Sequence, residues 1–489
     1  MSAPRVLFVS SEVTPFAKVG GLADVVGTLP PELAAQGVDC RTIMPLYRRI
    51  RQQYGQELKF LRWSMLKMGW RSMYSGLLSL EKDGMTYYFI DNEYYFGQEA
   101  IYLDYAFDIE RFCFFQRAVL EALGQPMDFT PDILHLNDWQ TGLIPALLQA
   151  HYWPAGYFND IKIVYTIHNL KYQGIHSRER IADLCDLSSD YLNDYGVLMD
   201  GVPNFLKAGI VYSNAVTTVS PTYANEILSN FYGEGLDGVL EAYRHKLSGI
   251  LNGISNEDWD PATDKALAQN YDATTVKEGK AVCRTALHEE LGLPEDPKRP
   301  LAVMITRLVD QKGLDLLIRV LDEILDDDIN VAVLGTGDPF YEQEMRGFET
   351  RRPDRFRACI MFDDALARRM YAGADFFLMP SIFEPCGLSQ MISMRYGTIP
   401  IVRETGGLSD TVTAYNQYTG EGNGFSFANI NAHELLFTTK YAADIFRRDD
   451  GAWDNLVQSA MAQSFDWSKS AAQYLELYRS LLGESEAND

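Results

Sequence analysis

Residues 376–412 contain two consecutive strand, loop and helix units, and this pattern constrains the fold more than any other part of the chain. The first apolar run, Phe376–Met379, is typical of a strand buried on both faces of a parallel sheet. A single acid, Glu384, follows that strand, and a second strand over 398–402 ends before Thr405 and two glycines. Open α/β sheets bind ligands at the carboxyl ends of their strands, so we expect a site at these loops.

The segment Pro385-Cys386-Gly387 is predicted to open the first of the two helices. The free N–H groups at a helix start would then face whatever Glu384 faces. A related pattern occurs upstream, where a strand over 301–306 ends in Arg307 and Lys312-Gly313 opens the next helix. Two cations on one loop are suited to a diphosphate, although two solvated surface cations are the alternative.

Length and charge narrow the class of protein. A chain of 489 residues is too long for one compact core, so two domains are expected. It has 67 Asp and Glu against 43 Lys and Arg, a net charge of −24. This balance repels nucleic acid and anionic membranes, so neither is expected as a partner. A phosphate ligand would need cations placed locally.

Six cysteines are scattered without the paired spacing of a disulfide framework or a zinc site. The first residues enter a strand directly, and no apolar run reaches the roughly 18 residues needed to span a bilayer. We therefore expect a cytoplasmic protein.

The first half of the chain begins with a strand over 5–10, a loop containing Lys18, Gly20 and Gly21, and a helix over 22–36. Glycines let the backbone approach an anion, a helix start supplies N–H groups, and the lysine adds a charge. This arrangement suits a phosphate. A tight turn with a solvated lysine explains the loop equally well.

Further strands are predicted with helical segments between them, which indicates a doubly wound parallel sheet. They lie at 39–44, 86–91, 132–136 and 161–167. Asn137-Asp138 and His168-Asn169 follow two of these strands. His168 is placed for a ligand, but a structural histidine bonded to a loop carbonyl is an open alternative.

Aromatic residues crowd positions 94–115, including Tyr95, and suit either a sugar-binding groove or core packing. Phe362 ends a strand over 357–362, where its ring could receive a nucleotide base or pack in the core.

The domain boundary is predicted near Asn252-Gly253, after which regular structure breaks and a fresh strand and helix alternation begins. We assign 1–248 to the first domain, 249–465 to the second, and 466–489 to a C-terminal helix. This last helix packs either locally or back on the first domain; the sequence leaves both open.

Taken together, the motifs KVGGLADVVG from Lys18, FEPCGLSQ from Phe383 and TGGLSDTV from Thr405 closely resemble those of the bacterial glycogen synthase and plant starch synthase family. The resemblance runs nearly from end to end, and it implies a second possible location, the plastid stroma, if the chain is the mature form of a plant enzyme. It implies the glycosyltransferase B fold, with two Rossmann-like domains that face each other across a deep cleft. It also implies retaining transfer of glucose from ADP-glucose to the non-reducing 4-hydroxyl of an α-1,4-glucan such as glycogen, starch or a maltooligosaccharide, with no metal or other cofactor.

The resemblance also implies roles for individual residues. Arg307, Lys312 and Lys18 would bind the donor diphosphate with the Gly20 and Gly21 backbone. Glu384, with the N–H groups of Cys386 and Gly387, would bind the glucose 3- and 4-hydroxyls, while His168 and Asn252 would contact the 6-hydroxyl. Phe362 would stack on adenine. The other residues expected near substrate are Asp24, Tyr95, Asp138, Asn169, Leu388 and Thr405.

The expected chemistry agrees with these residue types. Cleavage of the C1–O bond adds negative charge to the diphosphate, so cations and helix N–H groups aimed there stabilise the transition state more than the ground state. No carboxylate is evident as a nucleophile. We therefore favour attack from the side of the leaving group over the double displacement of retaining glycosidases.

Two positions depart from related glycosyltransferases. Ile392 stands where many enzymes of this fold carry a second Glu, and Ile382 where many bacterial relatives carry Arg. The first puts the ribose contact in doubt, and the second predicts altered loop packing. The alternatives are a UDP-glucose-dependent synthase, a glucan phosphorylase, for which no pyridoxal phosphate lysine motif is seen, and an inactive glucan-binding scaffold.

Overall fold

The computed structural model describes residues 3–123, 127–448 and 451–483, which form two α/β units. The first unit comprises Met1–Gly253 and Trp467–Asp489, and the second comprises Ile254–Asp466. The division falls after Gly253 and not at the predicted residue 248. The reason is that the Ile250 N–H still donates to the Thr218 carbonyl of the first unit, at 2.9 Å.

The first unit contains a nine-stranded sheet and a two-stranded hairpin. The strands in chain order are β1 Arg5–Val9, β2 Asp39–Pro45, β3 Lys59–Met68, β4 Arg71–Lys82, β5 Met85–Asp91, β6 Ile133–Asn137, β7 Lys162–Ile167, β8 Leu198–Met199, β9 Val202–Pro203, β10 Ala215–Thr218 and β11 Leu247–Gly249. The large sheet has the order β11-β10-β7-β6-β1-β2-β5-β4-β3, and β8 pairs with β9. From β11 to β5 all neighbours are parallel.

The chain moves across this sheet in opposite directions from the two neighbouring parallel strands β1 and β6. The two strands are neighbours in register, with Val9 opposite Leu136, while the chain proceeds to one side through β2 and to the other through β7. Loops that leave such a pair diverge and open a crevice at the carboxyl ends of the strands. The loops after Val9 and Asn137 therefore lie where a ligand site is expected.

Residues 59–82 differ from the prediction of a helical connection. They form the antiparallel hairpin of β3 and β4, which extends the sheet to an edge. The chain turns at Gly69, whose φ of 56° favours glycine. Half of β4, from Ser75 to Leu80, is buried against the unit, so tertiary packing and not local helix preference decides this segment.

The second unit contains a six-stranded sheet in which every neighbouring pair is parallel. Its strands are β12 Leu301–Ile305, β13 Asn330–Leu334, β14 Phe356–Cys359, β15 Phe376–Met379, β16 Ile399–Arg403 and β17 Phe425–Phe427. The order β14-β13-β12-β15-β16-β17 is that of a dinucleotide-binding sheet, with its reversal between β12 and β15. The predicted doubly wound α/β class is confirmed in both units.

Helices connect the strands of each sheet. In the first unit they are α1 Gly21–Ala35, α2 Arg48–Tyr54, α3 Glu93–Phe96, α4 Tyr105–Ala122, α5 Ile144–Leu147, α6 Arg178–Cys185, α7 Phe205–Tyr212, α8 Pro221–Glu226 and α9 Asp237–Ala242. In the second they are α10 Val276–Leu291, α11 Leu314–Asp326, α12 Pro339–Arg351, α13 Asp364–Gly373, α14 Ser389–Arg395, α15 Gly406–Thr411, α16 Ala432–Arg447 and α17 Ala452–Met461. None of the helices in the described ranges has the length and apolar character to cross a membrane.

The last helix, α18 Trp467–Leu481, packs in the first unit. Its buried stripe includes Ala471, Tyr474 and Tyr478. The Tyr478 hydroxyl lies 2.6 Å from Nδ1 of His135 in β6, and Gln36 donates to the Ser468 carbonyl at 3.0 Å. Residues 484–489 of the predicted C-terminal segment lie outside the described ranges.

Candidate active site

The loops that follow the adjacent strands β12 and β15 of the second sheet are two of those that the sequence analysis singled out. Arg307 follows β12 and Glu384 follows β15, and these strands are adjacent, with Val303 opposite Phe377. The two loops therefore leave the sheet side by side at its carboxyl edge. This topology places Arg307, Lys312 and Glu384 in one region of the second unit.

Lys312 and Glu384 form an ion pair that is largely shielded from solvent. The Lys312 Nζ lies 2.7 Å from Glu384 Oε2, and the two side chains are 15% and 9% exposed. The Ser381 hydroxyl donates to the same oxygen at 2.9 Å. Glu384 Oε1 accepts no hydrogen bond within the described part of the chain, so it can accept from a ligand hydroxyl.

Gly313 allows the Lys312 loop to approach β15 closely. Its φ is 72°, and a Cβ at this position would lie 2.0 Å from the Pro380 carbonyl oxygen. Any other residue would push the loop away from the strand end. The sequence Lys312-Gly313 thus holds the ammonium group against Glu384.

The Arg307 side chain is exposed, and its guanidinium group forms neither a hydrogen bond nor an ion pair with any described residue. Most arginines that flank it in sequence are paired with carboxylates, including Arg284 and Arg299. A guanidinium left unpaired in a protein of net charge −24 is available for an anionic ligand.

Two glycines hold the loop that carries Glu384. Gly407 N–H donates to the Glu384 and Pro385 carbonyls, both at 3.2 Å. A Cβ on Gly406, whose φ is 45°, would lie 2.0 Å from the Glu384 carbonyl oxygen. Thr405 and Cys386 are buried beside this contact. The loop after β16 therefore supports the loop after β15 that carries Glu384.

The helix after this loop starts later than predicted. It begins at Ser389, with Leu388 as the preceding cap residue, so Pro385 to Gly387 form an irregular turn before it. The N–H groups of Gly387 and Leu388 find no acceptor among the described residues. They point to a ligand that accepts hydrogen bonds.

The glycine loop of the first unit is held by a buried acid that the sequence did not single out. Glu12 Oε2 accepts from the N–H groups of Val19 and Gly20, at 2.5 and 3.1 Å. The Tyr102 hydroxyl donates to Glu12 Oε1 at 2.6 Å. Burial raises the pKa of the Glu12 carboxyl, although these three hydrogen bonds favour its ionised form.

Because Glu12 occupies the Gly20 N–H, the free donors of the loop lie one step further on. The N–H groups of Gly21 and Leu22, at the start of the 15-residue α1, have no acceptor in the described part of the chain. Lys18 Nζ lies 2.7 Å from Asp24 Oδ1 in the same turn. The loop thus presents a helix start and an exposed ammonium group.

His168, Asn169 and Asp138 meet at the ends of β6 and β7. Asp138 Oδ1 accepts from the N–H groups of His168 and Asn169, at 2.7 and 3.4 Å. Desolvation raises the Asp138 pKa to about 7, against the lowering effect of these bonds. Asp138 also has a φ of 56°, a strained conformation for an aspartate that is often found at functional sites.

The His168 side chain is buried, and its Nε2 lies 2.9 Å from Asn137 Oδ1. Burial lowers the His168 pKa to about 3, so the ring is neutral near pH 7. Asn252, after β11, is buried with an Oδ1 atom that has no hydrogen-bond partner. Both residues keep a polar atom free, as a ligand-binding role requires.

The structure treats the two predicted aromatic residues differently. Phe362 is 90% exposed, three residues beyond the end of β14, and its ring is free to stack. Tyr95 is fully buried, and its hydroxyl donates to Glu110 Oε1 at 2.9 Å. The expectation that Tyr95 contacts substrate therefore does not fit its position, because core packing already uses its ring and its hydroxyl.

Tyr102 is the aromatic residue that the structure brings to the glycine loop. Its hydroxyl contacts Glu12, Ser11 at 3.0 Å and Gln140 at 3.2 Å. No local signal marked these residues, because Glu12 and Tyr102 are separated by 90 positions. The crowded aromatic segment around 94–115 was the nearest available hint.

Comparisons with known proteins agree with this geometry. The starch synthase catalytic domain family matches residues 5–242, and the group 1 glycosyl transferases match residues 285–436. The glycogen synthase of Exiguobacterium sibiricum is 48% identical over 476 residues, which cover 97% of this chain and 98% of that protein. The glycogen synthase of Clostridium beijerinckii is 46% identical, covering 98% of this chain and 100% of that protein.

Solved structures show the same relationship. The catalytic domain of starch synthase IV from Arabidopsis thaliana, bound to ADP and acarbose, superposes with a TM-score of 0.91 at 34% identity, covering 99% of this chain and 100% of that chain. Sucrose-phosphate synthase from Thermosynechococcus elongatus shares the fold, with a TM-score of 0.61 at 16% identity, and the match covers 99% of this chain and 100% of that chain. The resemblance inferred from the motifs is confirmed: the chain belongs to the family of glycogen synthases and starch synthases, and it is a glycosyltransferase.

Proposed function

We propose that this glycosyltransferase transfers glucose from ADP-glucose to the non-reducing 4-hydroxyl of an α-1,4-glucan, with retention of configuration. The observation that carries the proposal is the cation cluster of the second unit. Arg307 is unpaired, and Lys312 is held 2.7 Å from a carboxylate that keeps one oxygen free. This arrangement suits a ligand with both a diphosphate and sugar hydroxyls.

The diphosphate takes up negative charge as the C1–O bond breaks. Arg307 and Lys312 stabilise that charge in the transition state more than in the ground state. Lys18 and the Gly21 and Leu22 N–H groups contribute a second set of donors of the same kind. These groups supply the charge stabilisation for which other transferases use a divalent metal, so we propose that none is needed.

The sugar is bound by acceptors and donors of hydroxyl hydrogen bonds. Glu384 Oε1 accepts from the 3- or 4-hydroxyl, while the Gly387 and Leu388 N–H groups donate to the same part of the ring. His168 and Asn252 bind the 6-hydroxyl through their free atoms. The exposed ring of Phe362 stacks on the base.

We favour attack of the acceptor hydroxyl on the face from which the diphosphate leaves. Glu384 is held by Lys312 and Ser381 on one oxygen, and we assign it to hydroxyl binding and not to a covalent intermediate. The six cysteines are free and buried, which suits a reducing compartment. We therefore propose that the enzyme acts in the cytoplasm.

The experiment that tests this function is release of ADP and of UDP from the two glucose donors, with glycogen as acceptor and EDTA present. We expect rapid ADP release and slow UDP release. UDP release alone would overturn the assigned base, and loss of ADP release in EDTA that magnesium restores would overturn the metal-free mechanism. No release from either donor would overturn the proposed activity.

A further inference from the structure

We propose that Asn137 is a positioning residue that holds His168 in one tautomer, with the ring proton on Nε2, so that Nδ1 accepts a hydrogen bond from a sugar hydroxyl. The assignment of that hydroxyl to the 6-position of the donor rests on the proposed function. The tautomer itself rests on the hydrogen bonds around the two side chains and on the burial of the His168 ring.

The orientation of the Asn137 amide follows from its neighbours. Asn137 ends β6 and is 1% exposed. Its Nδ2 lies 3.1 Å from the Val9 carbonyl oxygen and 3.3 Å from the His135 carbonyl oxygen. Carbonyl oxygens only accept hydrogen bonds, so the NH₂ group must face them.

The Asn137 carbonyl oxygen is therefore turned towards His168. It lies 2.9 Å from His168 Nε2. An amide oxygen also only accepts, so Nε2 carries the proton and donates it. Since burial lowers the His168 pKa to about 3, the ring is neutral and Nδ1 has no proton near pH 7.

The free nitrogen is thus an acceptor with no partner. Nδ1 of His168 makes no hydrogen bond to any described residue. The backbone fixes its position, because the His168 N–H donates to Asp138 Oδ1 at 2.7 Å. His168 is 9% exposed, and Nδ1 is not among the fully buried polar atoms, so this nitrogen is open to solvent and can accept a hydrogen bond from the hydroxyl of a ligand that covers it.

The proposed tautomer restricts what His168 can do in the reaction. A neutral ring with its only proton committed to Asn137 cannot protonate the leaving phosphate. It recognises a hydroxyl hydrogen instead. A donor that lacks this hydroxyl would leave Nδ1 unpaired, so we expect it to react about tenfold or more slowly in kcat/KM.

The direct test is nitrogen NMR of the whole protein labelled with ¹⁵N-histidine. The chain has seven histidines, so the spectrum is simple, and the His168 signals are those missing from the His168→Gln variant. We expect a protonated Nε2 and an unprotonated Nδ1 that do not change between pH 6 and pH 8. A proton on Nδ1, or a charged ring in this range, would overturn the inference.

A second test measures selectivity between ADP-glucose and ADP-6-deoxyglucose for wild type and Asn137→Ala. We expect wild type to prefer ADP-glucose about tenfold or more in kcat/KM, and the variant to lose most of that preference. Asn330→Ala is the matched control. It also removes a fully buried asparagine that donates to a backbone carbonyl, at 3.0 Å, but in the second unit.

The outcomes separate this inference from the proposed function. Equal loss of rate with both donors in Asn137→Ala, with selectivity intact, would show a purely structural role and overturn the inference. The same effect on selectivity in Asn330→Ala would also overturn it. If neither donor reacts with wild type, the proposed function fails, while the wild-type NMR spectrum still decides the tautomer. That spectrum also decides it if Asn137→Ala does not fold.

Discussion

The two units each contain a lysine paired with a carboxylate at the same distance, but the pairs differ in burial. Lys18 and Asp24 are 2.7 Å apart with side chains 47% and 30% exposed. Lys312 and Glu384 are also 2.7 Å apart but only 15% and 9% exposed. An exposed pair exchanges partners at little cost, whereas a buried pair is fixed by the penalty of separating its charges. Lys18 is thus suited to exchange Asp24 for a ligand, whereas Lys312 holds Glu384 in place while its charge acts on the proposed diphosphate.

The largest effects are expected at the buried pair. Lys312→Ala or Glu384→Ala should lower kcat about 100-fold to 1000-fold, because each removes a group that stabilises the transition state. Each should also reduce the free energy of unfolding by about 3–5 kcal/mol, since a buried charge is left unpaired. Initial rates of ADP release and urea unfolding measure the two effects.

The double variant Lys312→Met with Glu384→Leu is the control for this prediction. It removes both charges, so it should recover most of the lost stability while remaining inactive. If the single variants unfold at the same urea concentration as wild type, the pair is not buried in solution as described.

The exposed pair of Lys18 and Asp24 should affect activity much more than stability. Lys18→Ala should lower kcat/KM about tenfold to 100-fold, because it removes a cation proposed to bind the diphosphate. Its free energy of unfolding should change by less than about 1 kcal/mol. Arg244→Ala, which breaks another exposed ion pair of the first unit, should change neither quantity. A marked loss of stability in Lys18→Ala would remove the contrast between the pairs.

Asp138 sharpens the comparison, because it is a desolvated carboxylate that no cation pairs with in the described chain. Its pKa is raised to about 7 in the folded protein. The folded state therefore binds a proton that the unfolded state releases, and this contribution is full below the usual pKa of aspartate. It is lost as pH rises through 7, so the free energy of unfolding should fall by roughly 1 kcal/mol between pH 6 and pH 8.

Comparison with the variant Asp138→Asn separates the contribution of Asp138 to the pH dependence of stability from the contribution of the large net charge. Urea unfolding at several pH values should show a weaker fall for the variant than for wild type. Parallel curves for the two proteins would mean that Asp138 titrates normally.

The smallest effect is expected at Tyr102, which holds the Glu12 carboxylate against the glycine loop. Tyr102→Phe removes one of three hydrogen bonds to the Glu12 carboxylate. We expect KM for ADP-glucose to rise about threefold to tenfold with kcat nearly unchanged. Tyr95→Phe is the matched control, because Tyr95 also donates to a buried glutamate. An equal rise in KM in both variants would argue against a specific role of Tyr102.

The parts of the fold that follow from local pattern were predictable from the sequence. Apolar runs such as Phe376–Met379 predict buried parallel strands, and the carboxyl ends of such strands meet at one edge. The loops that carry Arg307 and Glu384 leave adjacent strands at that edge, and Lys312 lies 2.7 Å from Glu384. Their roles in binding substrate stay predictions.

The remaining features depend on contacts between distant residues. The β3 and β4 hairpin is determined by packing on one face, which local propensity does not report. Glu12 and Tyr102 meet only because β1 and the segment before α4 converge in the folded unit. Tyr95 lies in the same aromatic segment as Tyr102 but points into the core, a difference that composition cannot distinguish.

The most direct test of the proposed diphosphate binding concerns the arginine that has no partner. We would measure the initial rate of ADP release from ADP-glucose, with glycogen and EDTA, for wild type, Arg307→Lys and Arg307→Ala. Arg307→Ala should be slower by about 100-fold or more, and Arg307→Lys should recover part of the rate because it restores charge without the bidentate geometry. Folding should be unaffected, since Arg307 forms no ion pair in the described chain. A rate near that of wild type in Arg307→Ala would contradict the proposed role of the cation cluster.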